Sequence, residues 1–303
     1  MTASVAVKSR IRKNSIVSTV AIYLILGIIG LCCILPFLLM LGSSFTAEDE
    51  IRAEGYKLIP KHFSLEAYET IFVFPEKMIT GYTNTVRSTI VGTLLHLLVC
   101  TMAGYPLAVR QLKLRRFFQA YILITMVLNG GMVSWYIVCT KLLGLRNTVW
   151  SMILPLVVSP FNIYLIRNYF LGLPEELRES GMVDGASQFR IFWQIMLPLA
   201  TPVVATVALF ISINYWNDWF NSLMLNDKSD YFSLQLILKS IISQVQFMTT
   251  NAAAAGYKDV LNSLPTEGVK LATTVVTVGP IILLYPFIQK YFVKGITVGA
   301  VKG

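Results

Sequence analysis

The side chains whose types and spacing could carry a specific function lie in one polar segment, residues 173–198, between two apolar stretches. Pro174, Glu175 and Glu176 are typical of a helix start, because proline suits the first helical position and acids suit the positive end of the helix dipole. We expect this helix to end at about Val183. These residue types favour contacts with a partner or a lipid surface over a reaction.

The second half of the segment predicts another short helix. Gly185 permits a sharp turn, and Asp184 can cap the helix that follows. Apolar side chains then recur at i, i+3, i+4 and i+7 and predict one apolar face: Phe189, Phe192, Trp193 and Met196. The plainest interpretation of such a helix–turn–helix beside apolar stretches is an interfacial element resting on lipid headgroups.

Other chemistry has little support in the sequence. It contains no GxxxxGK[ST] loop to bind ATP phosphates, no GxGxxG and no HExxH. The four cysteines lie in apolar runs and are interpreted as packing residues. His96 lies in an apolar stretch, where a packing histidine is favoured over a proton relay. We therefore expect no catalytic residues, no metal site and no cofactor bound by this chain.

The elements that position this segment follow from the composition. The 303 residues are 55% hydrophobic and only 14% charged, with mean hydropathy +0.64. Soluble domains carry roughly 25% charged residues, so this chain has too little charge to cover a water-facing surface. The net charge of +9 is interpreted as the basic bias of cytoplasmic loops, and we expect no nucleic-acid partner.

Six apolar stretches are long enough to cross a bilayer, which takes about 20 residues in a helix. The predicted fold is an all-α membrane protein with six transmembrane helices. The predicted spans are about 16–45, 82–109, 117–141, 147–170, 198–222 and 271–292. Residues 1–15 form a basic N-terminus, 16–292 the transmembrane domain and 293–303 a tail. The uncharged stretch 240–257 is too polar to span and predicts a loop or a short interfacial helix.

Charge asymmetry predicts that both termini are cytoplasmic. In that orientation the inner segments hold fourteen of the 25 basic residues but only four of the 16 acidic ones. The short loop 110–116 weighs most, because short loops govern orientation.

The segment 173–198 also resembles a known motif, the EAA loop E-A-A-x-x-D-G-A-x-x-x-x-x-F-x-x-I-x-L-P-x-x-x-P. The matching positions are Glu179, Asp184, Gly185, Ala186, Phe192, Ile195, Leu197, Pro198 and Pro202. Ser180 and Gly181 replace the paired alanines, but both are small. The chain is thereby similar to the permease subunits of binding-protein-dependent ABC importers.

Two further stretches narrow the resemblance. The tail 285–303 and residues 214–219 are similar to the second permease of maltose-type carbohydrate importers. The Gly130–Gly131 pair and the turn 142–147 resemble a subgroup that imports complex oligosaccharides and polygalacturonan in Gram-positive bacteria. This implies a type I importer permease fold in a cytoplasmic membrane, surrounded by lipid.

The resemblance also implies the partners. They are a second permease, an ABC ATPase homodimer that holds ATP and Mg²⁺, an extracellular sugar-binding lipoprotein and an oligosaccharide substrate. The loop would dock on the ATPase, with Glu179 facing basic groups, Asp184 as a cap, Gly185 as a hinge and Ala186 at a close contact. The remaining candidate coupling residues are Phe189, Phe192, Ile195, Leu197 and Pro198.

The resemblance further suggests a route for sugar, which aromatic faces and amide groups would hold. The candidates are Tyr215, Trp216, Asn217, Asp218, Trp219, Asn129, Tyr136, Asn162 and Tyr164. Each could instead serve in helix–helix hydrogen bonding or as an interfacial anchor. Two alternatives remain open, namely the same type of importer for a non-sugar solute and a stand-alone channel or secondary transporter.

Overall fold

The computed structural model describes residues 2–73, 75–128, 130–254 and 266–280. Within these ranges the secondary structure is helical, and the only β pairing is an isolated bridge between Thr46 and Phe63. The predicted all-α class is confirmed. Asn129 and the tail 293–303 lie outside the described residues. The chain divides into two compact units, residues 1–73 with 244–276 and residues 74–243 with 277–303.

The described α-helices, in chain order, are α1 (Thr2–Ser44), α2 (Glu48–Glu54), α3 (Glu66–Ile71), α4 (Pro75–Ala108), α5 (Arg115–Val127), α6 (Gly131–Ile137), α7 (Pro160–Leu171), α8 (Glu176–Val183), α9 (Gln188–Ile191), α10 (Leu197–Leu199), α11 (Thr201–Trp216), α12 (Phe220–Leu225), α13 (Leu234–Ala254) and α14 (266–280). Turns of π-helix cover Val138–Leu142 and Phe192–Met196. Short 3₁₀ turns cover Val149–Ser151, Leu154–Leu156 and Ser229–Tyr231.

The first unit contains a long apolar helix whose most apolar part is not buried by other described residues. The part of α1 from Ser18 to Ser44 has a mean hydropathy of 2.9 and no buried residues in its most apolar window. The chain then turns into α2, where Glu48 lies buried. Its carboxylate accepts hydrogen bonds from the backbone N–H of Glu267 (3.1 Å) and of Gly268 (2.9 Å). Glu48 therefore caps the start of α14, whose first N–H groups have no partner within the helix.

The second unit is built around α4, which packs along α7 and α11. Its core joins residues of all three helices to the segment that precedes α11, and includes Cys100, Tyr105, Ile166, Ile191, Phe192, Met196 and Val207. Gly92 of α4 is buried beneath the ring of Tyr215 from α11, and a side chain at this position would overlap that ring. The close approach of these two helices thus depends on a residue without a Cβ.

Several predicted spans are not continuous helices. The fourth span, 147–170, begins as two short 3₁₀ turns and reaches α7 through a 49° bend. Pro155 and Pro160 explain this break, because proline lacks an N–H and clashes with the preceding helical turn. The third span is divided between α5 and α6, and Gly131 at the start of α6 has φ +78°. The fifth is divided between α11 and α12.

The expectation for 240–257 is confirmed in part over its described residues. The stretch up to Ala254 is helical, which was one of the two alternatives, and it is not among the described helices that are apolar enough to cross a membrane. The helix is longer than expected, because it belongs to α13, which has 21 residues. Its threonine hydroxyls are satisfied within the helix, because Thr249 Oγ1 donates to the Val245 carbonyl (2.6 Å) and Thr250 Oγ1 to the Gln246 carbonyl (2.9 Å). Polar side chains that bond back to the i−4 carbonyl do not interrupt a helix.

Two described helices, Ser18–Ser44 and Pro75–Ala108, are each long and apolar enough to cross a membrane. Three bent pairs of helices would raise the number to five if each pair is one span. The sixth predicted span, 271–292, lies partly outside the described residues, which end at 280. The number of spans and the side of the termini stay predictions.

Candidate functional site

The polar segment between α7 and α11 folds as two short helices joined by a glycine turn, as predicted. The first, α8, ends at Val183 and begins at Glu176, two residues after Pro174. At its end the N–H of Gly185 donates to the Met182 carbonyl (3.0 Å) and the N–H of Ala186 to the Gly181 carbonyl (3.0 Å). These two bonds form a Schellman motif, which requires a left-handed residue after the cap.

Gly185 supplies that conformation with φ +75°. No atom lies within 4 Å of where its Cβ would be, so the requirement for glycine is set by the backbone and not by crowding. The turn predicted from the sequence is therefore present, and its hydrogen bonds fix the angle between α8 and α9.

The expected cap of the second helix is wrong. Asp184 is instead the C-cap of α8, the helix before the turn. The residue that caps α9 is Ser187, whose Oγ accepts a hydrogen bond from the Arg190 N–H (3.3 Å). The sequence could have indicated Ser187 as the cap, because serine is as good an N-cap residue as aspartate and Ser187 directly precedes the first helical residue.

The expectation of one apolar face on the second helix is only half right. Phe192 and Met196 are buried in the core, whereas Phe189 and Trp193 are exposed. The turn Phe192–Met196 is π-helical and holds one more residue per turn than an α-helix. This extra residue shifts the register, so that the spacing i, i+3, i+4, i+7 no longer defines one face.

The buried side of this segment is fixed to α4 and α7. The Phe192 ring lies 5.3 Å from the ring of Tyr105, which contacts Phe170 edge-on at 5.5 Å. The Tyr105 hydroxyl also donates to Gln188 Oε1 (3.3 Å). Three other candidate coupling residues are partly buried against the same core: Ala186, Ile195 and Leu197.

The resemblance implied a close contact at the paired small residues, Ser180 and Gly181, and the structure places one of them at such a contact. Gly181 is buried, and a Cβ there would lie 3.0 Å from Ile195 Cδ1 and 3.1 Å from Ile191 Cγ1. Ser180, by contrast, is exposed. Only one of the two small positions is therefore a close contact within this chain.

The sequence analysis missed Arg178. Its side chain is buried and its Nη2 donates to Glu175 Oε1 (3.1 Å), while Glu175 Oε2 lies 3.7 Å from Arg110 Nε. Gln111 Nε2 also donates to Glu175 (3.4 Å). This network ties the start of α8 to the loop after α4. The spacing of Glu175 and Arg178, three residues apart on one helix, was the available signal.

The exposed residues of α8 and α9 include a charged group and apolar side chains. Glu179 is exposed, and its carboxylate has no hydrogen bond or ion pair to any described residue. On the same two helices Val183 is 87% exposed, Phe189 63% and Leu177 38%. We call this set of four exposed residues the outer face of the segment. Exposed apolar side chains and an unpaired acid, on helices whose other side chains pack in the core, are typical of a protein contact surface.

The aromatic and amide candidates of the sugar route separate into two groups. Four have their polar groups engaged within the chain: Tyr215 with the Ile153 carbonyl, Trp216 with the Thr277 carbonyl, Asn162 with His96 and Tyr164 with the Gln119 carbonyl. Tyr136 packs against the small cluster of Cys139, Leu145 and Leu225.

The other group lines an open cavity of about 720 Å³. Asn217, Asp218 and Trp219 contribute to it, and so do Asn214 and Trp135, which the sequence analysis did not select. Asn214 and Asn217 are exposed although they sit at the end of the apolar helix α11. Both Asp218 oxygens accept from Asn221, at 3.0 Å from its N–H and 2.9 Å from Nδ2. Exposed amides beside indole rings suit a ligand rich in hydroxyl groups.

Comparison with known proteins gives a consistent result. The family model described as binding-protein-dependent transport system inner membrane component matches residues 78–298. Protein LplC of Bacillus subtilis (strain 168) is 39% identical over 281 residues, which cover 92% of this chain and 93% of that protein. The polygalacturonan/rhamnogalacturonan transport system permease protein YtcP of the same organism is 33% identical over 282 residues, 93% of this chain and 97% of its own length.

A solved structure matches as well. It is the crystal structure of a bacterial ABC transporter involved in the import of the acidic polysaccharide alginate. The TM-score is 0.77 at 28% identity, over 92% of this chain and 98% of that chain. The described helices thus follow the fold of an importer permease.

Proposed function

The chain belongs to the family of binding-protein-dependent transport system inner membrane components, and from this premise we propose that it is the permease subunit of an ATP-driven importer that moves an oligosaccharide across the cytoplasmic membrane. Its working partners are a second permease, an ABC ATPase dimer that holds ATP and Mg²⁺, and an extracellular sugar-binding protein. ATP hydrolysis resides on the ATPase, and this chain supplies part of the path and the coupling surface.

Coupling is assigned to α8, α9 and the turn between them. The observation that carries this assignment is the contrast between adjacent residues of α8, since Arg178 is buried in an ion pair while Glu179 is exposed without a partner among the described residues. The outer face offers this acid and three apolar side chains to the ATPase. Movement of the ATPase would then reach α4 and α7 through Phe192 and Tyr105, whose rings are in contact.

Sugar specificity is supported by the printed functions of the relatives and by the cavity lined by Asn217, Asp218 and Trp219. The permease YtcP is named for polygalacturonan and rhamnogalacturonan, and the matched solved structure for alginate. Transfer of an oligosaccharide substrate to this chain is consistent with the aromatic and amide groups of the cavity.

Reversal of one charge tests the coupling assignment. Glu179→Lys should leave membrane insertion intact, because the Glu179 side chain bonds to no described residue, but should weaken docking of the ATPase. We expect at least a tenfold loss of sugar-stimulated ATP hydrolysis in the purified importer, the effect of removing a charged contact of about 1.4 kcal/mol or more.

Glu69→Lys is the matched control, since Glu69 is also exposed but lies in α3, on the predicted outer side. Hydrolysis in the control should equal that of the unmodified importer. Full stimulation in Glu179→Lys at equal expression would remove the outer face from the mechanism. Uptake of amino acids, peptides or phosphate in place of oligosaccharides would contradict the substrate class while leaving the coupling assignment standing.

A further inference from the structure

A basic cavity follows the end of α4. Residues 110–119 include four basic residues and no acidic ones: Arg110, Lys113, Arg115 and Arg116. These side chains line an open cavity of about 750 Å³. Arg110 makes an ion pair with Glu175 at 3.7 Å, but Lys113, Arg115 and Arg116 have no carboxylate partner in the described part of the chain. The cavity therefore has an excess of positive charge.

One guanidinium group of this cavity is fixed by a carbonyl oxygen. The Leu107 carbonyl, in the last turn of α4, accepts from Arg115 Nε (3.0 Å), and it also accepts from Arg167 Nε of α7 (3.3 Å). Gln119 Nε2 donates to the same oxygen (3.2 Å). Two like charges brought together without a carboxylate repel each other, and an anion bound beside them would reduce that repulsion. Because the Arg115 side chain is held through its Nε, its remaining N–H groups are preorganised for such an anion.

An apolar surface begins where the cavity ends. None of the residues of α5 is buried within the described structure. The exposed apolar side chains next to the basic residues are Leu114, just before α5, and Phe117, Phe118 and Tyr121 of α5. A free phosphate ion would use only the basic groups, and an acidic protein surface would leave the apolar helix uncovered. A molecule with an anionic head and long apolar chains matches both features.

We propose that this cavity binds the phosphodiester headgroup of an anionic phospholipid, with the acyl chains lying along α5. The proposal rests on the membrane placement given under the proposed function and not on the identity of the solute. The phosphate accepts hydrogen bonds from Arg115 and its neighbours, and the ring of Phe117 contacts the first carbons of the acyl chains.

Lys113 and Arg116 are the side chains to replace, because neither makes a hydrogen bond or ion pair with a described residue and the fold does not depend on them. The importer, purified with its partners and depleted of lipid, is titrated with dioleoylphosphatidylglycerol or dioleoylphosphatidylcholine and examined by native mass spectrometry. Lys113→Gln/Arg116→Gln should bind phosphatidylglycerol about thirtyfold more weakly, as expected for the loss of two charges near a headgroup.

The matched control is Lys141→Gln/Lys228→Gln, which removes two exposed lysines of the same unit, one at the predicted outer end of the third span and one in a predicted outer loop. The control should bind phosphatidylglycerol as the unmodified importer does. Equal binding by all three proteins, or equal preference for phosphatidylcholine, would overturn the proposal. Loss of the ATPase from the complex with lipid binding unchanged would also overturn it and would assign the cavity to a protein partner.

Inorganic phosphate is included as a competitor. If millimolar phosphate displaces phosphatidylglycerol fully, the apolar part of the site is refuted. The proposed function is tested separately by measuring sugar uptake, and the lipid titration does not depend on that result.

Discussion

At the scale of single residues, Gly185 determines the geometry of the segment that we propose for coupling. Its φ of +75° closes the Schellman motif, and the space around it is open. A β-branched side chain in this conformation costs roughly 1–2 kcal/mol. Gly185→Val should therefore shift the turn and reduce sugar-stimulated ATP hydrolysis, measured in the assembled importer at equal expression.

Gly185→Asn separates backbone strain from loss of a small side chain. Asparagine tolerates the left-handed region, and no atom lies within 4 Å of the position of its Cβ, so this variant should keep most of the activity. Equal activity of the valine and asparagine variants would show that the left-handed turn is not required.

The sequence predicted Gly185 but not the roles of its neighbours. A glycine between two helical patterns has few alternatives, whereas Asp184 and Ser187 were both good cap residues, and only the three-dimensional course of the turn decides between them. Arg178 was missed for a similar reason. Its partner Glu175 also pairs with Arg110, which is far away in the sequence, so the network becomes visible only in three dimensions.

At the scale of elements, hydrophobic stretches predicted where apolar helices occur but not where they break. Composition does not distinguish a straight helix from the sequence of 3₁₀ turns and α7 that forms residues 149–171. The π-helical turn Phe192–Met196 could not be predicted from the sequence either, because it depends on tertiary packing. It lets Phe192 and Met196 both reach the core between α4 and α7.

The segment that follows α1, on the predicted outer side, is held by a carboxylate whose hydrogen bonds depend on pH. Burial raises the pKa of Glu50, but hydrogen bonds from the backbone N–H of His62 (2.9 Å) and of Lys61 (3.1 Å), together with Lys57, outweigh burial and lower the pKa below its usual value. A lowered pKa contributes stability above the pKa of the unfolded state, near 4.3, and that stability is lost as the pH falls through the folded value.

Hydrogen exchange of the amides at 61 and 62 should therefore accelerate as the pH falls below about 4, relative to the intrinsic rate at each pH. Glu50→Gln should abolish this pH dependence while raising exchange at neutral pH, because the amide is a weaker acceptor. An acid-induced acceleration that persists in the glutamine variant would assign the effect to another group.

At the scale of the whole molecule, the charge asymmetry of the loops predicts which side each segment faces. Single cysteines at Glu54, Asn251, Gln111 and Gln188 test it, since all four residues are exposed and two lie on each predicted side. In a background without the native cysteines, a membrane-impermeant maleimide added to intact cells should label positions 54 and 251 only. Labelling at 188 would place the coupling segment outside and refute the orientation.

The division of the first unit between both ends of the sequence has a consequence for how the protein is made. Residues 74–243 of the second unit form one continuous stretch, and all of them are synthesised before any of residues 244–276. The first unit has to wait, because the Glu48 carboxylate gains the N–H groups of Glu267 and Gly268 only when those residues emerge. At about 5–20 residues per second, that interval is on the order of ten seconds or more. Throughout that interval α1, the predicted first span, lacks the residues that complete its unit, and a nascent chain halted before residue 266 should be a substrate for membrane proteases.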